Sequence, residues 1–359
     1  MDPRRHPLII VVGSGGVGKT TLAAALGLRS AQRGNDTMVM TFDPSLRLKD
    51  ALGVGDDARG SESKVALEAP GELWASLLDA RSTFDNIIDR YSPDEEARQR
   101  ILDNRFYDRL SANLAGVLEY MASERLFEVS EQGRYGRIIL DTPPTRQALD
   151  FLGAPERIVS FLESGALRIA LKPWFDADGS LKVTKKLGIL GRNVEDFFDR
   201  MVGLELLRDM AEFFQAFAPL FDGFKERALQ VQQLLRSPQT LFVLVSGPGS
   251  GRVADTLFFA RRLTEEGYRL GPIIVNRVHP KLPPVRDTAS RGRQLMTWLG
   301  ERDHEGVDEL RDLVGDSHPV IEVPLAEDEP TDLESLASLG EMVEHNLEAE
   351  LPVSSKERS

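Results

Sequence analysis

A glycine-rich loop with a lysine and two threonines is the part of the sequence with the clearest chemistry. It follows an apolar, β-branched run, Leu8 to Val12, and an alanine- and leucine-rich helical pattern comes directly after it. Its residues are Gly13, Ser14, Gly15, Gly16, Val17, Gly18, Lys19, Thr20 and Thr21. Strand, loop and helix in this order are the context that a phosphate-binding P-loop requires. The alternative, a glycine-rich turn with a chance Lys-Thr pair, does not explain the strand and the helix on either side.

Each residue type in this loop has a physical role in binding phosphate. Glycines let the backbone curl so that successive N–H groups point at phosphate oxygens. The helix adds its free N–H groups and the positive end of its dipole. Lys19 can bridge the β- and γ-phosphates of a nucleotide, and the Thr20 hydroxyl can ligate Mg²⁺. The loop is therefore predicted to bind a nucleoside triphosphate together with Mg²⁺.

Two aspartates follow predicted strands. A strand over Thr37 to Phe42 leads to Asp43, and a second apolar strand that starts at Arg137 ends in Asp141. Ligands of open α/β sheets lie beyond the carboxyl ends of the strands, so both carboxylates are expected near the phosphates. We predict that Asp141 is a Walker-B-type carboxylate and that Asp43 and Asp141 reach Mg²⁺ through water. A simple turn aspartate at position 43 and a strand-end aspartate without a ligand at position 141 are the alternatives.

Composition and charge exclude several classes of function. The net charge of −13 disfavours nucleic acid as a partner. The chain has no cysteine, which excludes disulfides, thiolate catalysis and cysteine-based zinc sites, and its five histidines show no ligand spacing. A strand begins by residue 8 and no apolar run approaches ~18 residues, so we expect neither a signal peptide nor a membrane span, and a cytoplasmic location.

Strands that look buried alternate with helical patterns along the chain. Three later strands are predicted over Leu241 to Ser246, Gly271 to Arg277 and His318 to Pro324. This alternation predicts an α/β fold with a doubly wound, mostly parallel sheet and helical insertions. We expect one domain over residues 1–348, helical elaborations at about 84–132 and 156–236, and a polar tail over 349–359. A second glycine-rich loop, residues 247–251, lacks a lysine and is expected only to cap the next helix.

An apolar seam runs along the second helical block at steps of three or four residues. It comprises Leu206, Met210, Phe213, Phe217, Phe221 and Phe224. Such a stripe can be part of a core, or it can form an adaptable groove for an apolar helix of a partner. The core is the favoured interpretation, and the groove remains the alternative.

Taken in order, these motifs resemble a known family. The residues are Gly15 to Thr21, Asp43-Pro44, Asp141-Thr142 with Pro144-Thr145, Asn276 after a strand, and Pro324-Leu325 with Glu329. They resemble the arsenite-pump and tail-anchored-protein-targeting ATPases (ArsA-like) within the MinD-type group of P-loop proteins. The resemblance implies ATP as the nucleotide, Asp43 as the switch I residue that orients the attacking water, and Asn276 and Pro324 at the adenine. It also implies a nucleotide-gated homodimer, or a heterodimer with a related subunit, and a membrane-protein or apolar helical client.

The chain departs from that family at positions that matter for function. Ser14 stands where the family usually carries a lysine that reaches the phosphates of the dimer partner. The family's cysteines for zinc and for trivalent arsenic are absent, since the chain has none. The expected activity is a switch ATPase that hydrolyses ATP by in-line attack of water on the γ-phosphate. The alternatives are a nucleotide-gated targeting module for an apolar helix, a MinD-like positioning ATPase, and a small-molecule kinase or ligase.

Overall fold

The structure is a computed structural model, and its description covers residues 1–42, 47–55, 60–113, 117–143, 145–163, 204–284 and 290–351. The chain forms two compact units. The sheet unit comprises Met1–Leu78, Leu126–Leu149 and Leu234–Ser359, and the helical unit comprises Asp79–Arg125 and Asp150–Gln233. The expectation of a single domain over residues 1–348 stays a prediction.

The sheet unit contains an eight-stranded sheet in the described part of the chain. Its strands are β1 (Leu8–Gly13), β2 (Thr37–Thr41), β3 (Ser63–Lys64), β4 (Leu73–Leu77), β5 (Arg137–Asp141), β6 (Thr240–Ser246), β7 (Leu270–Val278) and β8 (Val320–Pro324). Their spatial order is β3-β4-β2-β5-β1-β6-β7-β8. All neighbouring strands are parallel except β3 and β4. The α/β fold with a mostly parallel sheet is thus confirmed.

Burial of both faces explains the composition of the strands. Every residue of β1, β2 and β6 is buried, because helices cover the sheet on both sides. The register of β1 against β5 pairs Leu8 with Ile138 and Val11 with Asp141. Since these strands are parallel neighbours, their carboxyl ends lie side by side. The loop after Gly13 and the carboxylate of Asp141 therefore meet at one edge of the sheet.

The helices of the described residues are α1 (Lys19–Gln32), α2 (Arg47–Leu52), α3 (Ala80–Tyr91), α4 (Glu95–Leu102), α5 (Arg105–Asn113), α6 (Val117–Glu131), α7 (Thr145–Glu163), α8 (Leu204–Phe217), α9 (Phe221–Arg236), α10 (Val253–Glu265), α11 (Arg291–Val314) and α12 (Leu333–Glu350). None of the described helices is long and apolar enough to cross a membrane. The buried faces of α1 and α12 join the strands in one apolar core, to which Leu22, Leu28, Leu336 and Val343 contribute.

Three sequence-based boundaries need correction. The last helix continues to Glu350, two residues into the expected tail, and the rest of the tail lies outside the described residues. Helix α7 begins at Thr145, about eleven residues before the helical elaboration expected from residue 156, and Pro155 lies inside it. The short antiparallel strand β3 was not among the strands expected from the sequence. Two residues are too few for an alternating pattern to show in the sequence.

The seam of apolar residues forms the core of the helical unit. Phe213, Phe217 and Phe224 are buried among Phe84 and Tyr107. The rings of Phe213 and Phe217 stack with centroids 5.3 Å apart, and those of Phe217 and Phe224 meet edge to face at 5.5 Å. These rings already have aromatic partners inside the unit. The core interpretation is thus confirmed for these three positions, while the side chain of Leu206 lies outside the description.

Candidate nucleotide-binding site

The loop between β1 and α1 depends on glycine at its two ends. Gly13 has φ 151° and Gly18 has φ 91°, both positive values that side chains rarely allow. A Cβ on Gly13 would lie 2.0 Å from the Val245 carbonyl oxygen on β6, and one on Gly18 would lie 2.4 Å from Asn276 Nδ2. The loop is therefore packed closely against two other strand ends, and it leaves space above its middle, where a Cβ on Gly16 would meet nothing within 4 Å.

Lys19 opens α1 and folds back over the loop. Its side chain is 7 % exposed, and Nζ donates a hydrogen bond of 3.0 Å to the Ser14 carbonyl oxygen. No side chain caps the amino end of α1, whose N-cap residue is Gly18. A helix start without a side-chain cap leaves N–H groups for an anion. The Lys19 ammonium group and the free N–H groups of α1 thus lie beside the same loop, which is the arrangement expected for binding phosphate.

Asp141 lies at the centre of a buried group of hydroxyls. Its Oδ2 accepts hydrogen bonds from Thr20 Oγ1 at 2.6 Å and from Thr41 Oγ1 at 2.9 Å. The next residue, Thr142, is also buried, and its hydroxyl donates to the Val11 carbonyl oxygen at 2.8 Å. These bonds connect α1, β2 and β5, so the carboxylate is held in one orientation beside the loop. The predicted neighbours Thr20 and Asp141 are brought into direct contact.

A cavity of about 630 Å³ opens in front of this group. Its lining includes Gly15, Lys19, Thr20, Thr142 and Arg47. The volume lies within the range of small-molecule pockets, ~300–1,000 Å³. The predicted catalytic residue Asp43 and the adjoining Pro44 lie outside the described residues, so the role of Asp43 stays a prediction.

A second cavity, of about 320 Å³, brings together the residues expected at the nucleobase. Thr21, Asn276 and Pro324 all line it. The amide of Asn276 is held within the protein, because Nδ2 donates to the Val17 carbonyl oxygen at 2.8 Å and Oδ1 accepts from the Arg277 N–H at 3.0 Å. Asn276 therefore supports the P-loop directly. Its expected contact with adenine stays a prediction.

Two arginines beside the loop were not singled out from the sequence. Arg277 has φ 64° and donates from Nη1 to the Gly16 carbonyl oxygen at 3.3 Å. Arg252, just before α10, donates from Nη1 to Ser14 Oγ at 3.3 Å. Arg277 follows Asn276 directly, but neither position carries a motif. Only the folding of distant strands brings these cations to the loop.

Comparison with known proteins decides the family. The family model described as "Anion-transporting ATPase" matches residues 6–345. The chain belongs to the anion-transporting ATPase family. The chain is therefore an ATPase, and the P-loop as its nucleotide-binding site stays a prediction.

The relatives of this ATPase are distant but match along nearly its whole length. ATPase GET3 of Malassezia globosa is 24 % identical over 346 residues, which covers 96 % of this chain and 93 % of that protein. Putative arsenical pump-driving ATPase 1 of Aquifex aeolicus is 24 % identical over 342 residues, 94 % of this chain and 78 % of that protein. ATPase ASNA1 homolog 2 of Paramecium tetraurelia is 23 % identical over 343 residues, 93 % and 92 % of the two chains.

Proposed function

We propose that this member of the family is a Mg²⁺-dependent switch ATPase, in which hydrolysis of ATP is coupled to a rearrangement of a dimer or of a client. The observation that carries the proposal is the contact between Thr20 and Asp141 beside the lysine-bearing loop. Thr20 Oγ1 lies 2.6 Å from Asp141 Oδ2, and Lys19 Nζ lies 3.0 Å from the Ser14 carbonyl oxygen. The hydroxyl and carboxylate that we assign to the metal and the lysine that we assign to phosphate thus lie at one strand-loop-helix junction.

The donor set fits Mg²⁺. The Thr20 hydroxyl and the Asp141 carboxylate both offer oxygen, the ligand atom that this hard cation prefers. Thr20 would hold the ion directly, and Asp141, together with Asp43, would hold its water ligands. When bound, Mg²⁺ supplies positive charge to the β- and γ-phosphates. The hydrogen bond from Thr41 to Asp141, 2.9 Å, keeps the carboxylate in place for this task.

The remaining chemistry belongs to the residues of the chain. A water oxygen forms a bond to the γ-phosphorus while the bond from that phosphorus to the bridging oxygen breaks, and ADP leaves with the electron pair. Lys19 and the amides of the loop stabilise the charge that develops on the phosphate oxygens. We assign the orientation of the water to Asp43, and contacts with adenine to Asn276 and Pro324. The two protons of the attacking water leave with inorganic phosphate, which releases one of them to the solvent at neutral pH.

A second copy of the chain, or a related subunit, is the partner that we propose. Leu295 and Trp298 on α11 support it, since both side chains are 54 % exposed although they are large and apolar. Trp298 also lies 5.2 Å from the guanidinium of Arg302, which lines a cavity at the P-loop. The alternative of a groove for an apolar client helix loses the support of Phe213 and Phe217, because both are buried in the helical unit.

The test is phosphate release from Mg·ATP per chain, measured across a range of protein concentrations. Lys19→Ala is the comparison variant. Loss of one donor that stabilises developing charge costs ~10²–10³ in rate, so turnover should fall by at least that factor. A per-chain rate that rises and saturates with concentration would support a dimer that completes the site.

Metal dependence gives a second readout that does not rely on turnover. In Thr20→Val the Mg²⁺ concentration needed for half-maximal binding of a fluorescent ADP should rise, because the hydroxyl ligand is lost. Thr37→Val serves as the matched control, since its hydroxyl bonds to Ser30 Oγ and Thr37 lines neither of the two cavities at the loop. Wild-type turnover in purified Lys19→Ala, or an unchanged Mg²⁺ midpoint in Thr20→Val, would contradict the proposed mechanism.

A further inference from the structure

A third cavity, of about 490 Å³, lies between the P-loop and the second glycine-rich loop. Residues 247–252 form one wall, and Gly16 and Val17 of the P-loop form part of another. All of these residues belong to the sheet unit. The sequence predicted that the second loop only caps a helix. In the structure Arg252, which directly follows this loop, is the N-cap residue of α10. Its guanidinium has only N–H donors, so it cannot cap the free N–H groups of the helix.

Three arginines from three different elements line this cavity. Arg252 precedes α10, Arg277 lies near the end of β7, and Arg302 lies on α11. Arg252 contacts Ser14 Oγ, and Arg277 contacts the Gly16 carbonyl oxygen, each at 3.3 Å. A Cβ on Gly249 would lie 3.5 Å from Arg302 Nε. The guanidinium groups therefore face the two glycine-rich loops at close range.

Tight backbone packing builds the wall that carries Arg302. A Cβ on Gly306 would lie 2.5 Å from the backbone of Gly249, so only glycine lets α11 approach the loop this closely. The buried carboxylate of Asp303 accepts from Arg302 Nε at 3.1 Å and from Nη2 at 2.7 Å. It also binds His279 Nδ1 at 2.6 Å. Arg302 is thus held on one edge of its guanidinium by a fixed anchor.

The charge balance of the cavity favours an anion. Asp303 pairs with Arg302, and Glu329 pairs with Arg277 at 3.3 Å. Arg252 contacts no carboxylate in the described part of the chain. Burial would raise the pKa of Asp303, but the hydrogen bonds from His279 and Arg302 outweigh it and hold that pKa below its ordinary value. The carboxylate is therefore ionised at neutral pH, and one positive charge in the cavity is left without a counter-charge.

We propose that this cavity is a second anion site of the chain, which binds a phosphate-bearing small molecule from solution. Arginine is the side chain best suited to phosphate, because its planar group donates two parallel hydrogen bonds. The volume of the cavity suits a phosphorylated molecule better than a bare ion. The cavity adjoins the predicted nucleotide site and shares Gly16, Asn276 and Arg277 with it, whereas Arg252 and Arg302 line only this cavity. Arg252 and Arg277 contact Ser14 and Gly16, so a bound anion would contact side chains that also hydrogen-bond to the P-loop.

The experiment separates this site from the P-loop by weakening the P-loop first. Inorganic pyrophosphate is titrated by calorimetry into the full chain carrying Lys19→Ala, which lacks the main phosphate-binding cation. We expect a remaining site of one pyrophosphate per chain. Adding Arg252→Gln, or separately Arg302→Gln, should weaken that binding about tenfold or more, since each removes a hydrogen bond to a charged ligand.

Arg261→Gln is the matched control, because Arg261 is exposed on α10 and does not line the cavity. It removes the same charge and should leave the affinity unchanged. Arg302→Gln removes the partner of the buried Asp303 carboxylate and can impair folding. Arg252 is exposed, so Arg252→Gln keeps the test valid if Arg302→Gln does not fold. A competition with sulfate at equal ionic strength checks that pyrophosphate binds through specific contacts and not through nonspecific electrostatic attraction.

Several results would overturn the proposal. These are no pyrophosphate binding in the Lys19→Ala chain, equal losses in Arg252→Gln and Arg261→Gln, and displacement by sulfate at equal ionic strength. Binding that appears only as the protein concentration rises would also overturn it. Such binding would mean that two associated chains form the site, and that a single chain does not bind the anion by itself. Failure of the ATPase mechanism itself leaves this titration unaffected, because no turnover is measured.

Discussion

The hydrogen bond from Thr41 to Asp141 offers a sharp test of how the site is held. Thr41 is buried on β2, directly across from Asp141 on β5, and its hydroxyl lies 2.9 Å from Oδ2. Thr41→Val keeps the volume and the β-branched shape but removes the donor. The variant leaves the Asp141 carboxylate buried with one hydrogen bond fewer, while the contact from Thr20 remains.

The expected cost follows from the charge of the acceptor. A hydrogen bond to a charged group contributes ~1.5–3 kcal/mol, whereas a neutral one contributes ~0.5–1.5 kcal/mol. Thr37 supplies the matched control on the same strand. Its hydroxyl is equally buried and is hydrogen-bonded to neutral groups, Ser30 Oγ and the Asn35 carbonyl oxygen, both at 2.9 Å. We expect Thr41→Val to lower the free energy of unfolding by about 1 kcal/mol more than Thr37→Val does.

Urea unfolding followed by tryptophan fluorescence measures this difference. Trp74 and Trp298 both lie in the sheet unit, which contains the two threonines. The comparison requires equal slopes of free energy against urea, so that the midpoints report stability alone. Equal losses in the two variants, or a larger loss in Thr37→Val, would refute the interpretation that the Thr41 hydroxyl stabilises the Asp141 carboxyl group more strongly than a neutral acceptor.

Two further perturbations test the loop and the pH dependence. Gly13→Ala should cost about 3 kcal/mol or more and abolish binding of fluorescent ADP, because its Cβ would lie 2.0 Å from the Val245 carbonyl oxygen. Gly16→Ala, with φ 76° but no neighbour within 4 Å, should cost only ~1–2 kcal/mol, and equal costs would show that the close approach is unimportant. Burial lowers the pKa of His318 from 6.5, so the unfolded chain takes up a proton at higher pH than the folded one, and stability should fall as pH drops below 6.5 toward the folded-state pKa. His318→Gln should remove that decline in urea midpoints, with His345→Gln as the exposed control; a decline that persists would assign it to other groups.

Much of the sheet could be predicted because the signals are local. A buried strand shows itself as a short apolar run, and β1, β2, β5, β6, β7 and β8 were all expected close to their observed bounds. The two-residue strand β3 was missed, because its pattern is too short to read. Helix α7 begins ten residues before Pro155, since that proline is accommodated inside the helix. Local patterns identify elements better than they identify the ends of elements.

The predicted nucleotide site likewise has one part that the sequence indicates and another that only the structure shows. The sequence alone determined the P-loop from Gly13 to Thr21, since the spacing of glycines, lysine and threonine is a local requirement of phosphate binding. It also indicated Asp141, because a carboxylate at the end of a parallel strand points to the ligand edge of the sheet. The roles of both in binding nucleotide and metal stay predictions.

Only the tertiary structure decided what surrounds the loop. Arg252 contacts Ser14 across 238 positions of the chain, and Asn276 contacts Val17 across 259. These contacts depend on the strand order β5-β1-β6-β7, which places the end of β7 and the loop after β6 against the P-loop. Neighbouring residues in sequence carry no trace of such a pairing, because it is the packing of the entire sheet that selects which strand ends meet. The contacts of Asn276 and Arg252 with the P-loop therefore depend on the fold and are not encoded in any local motif.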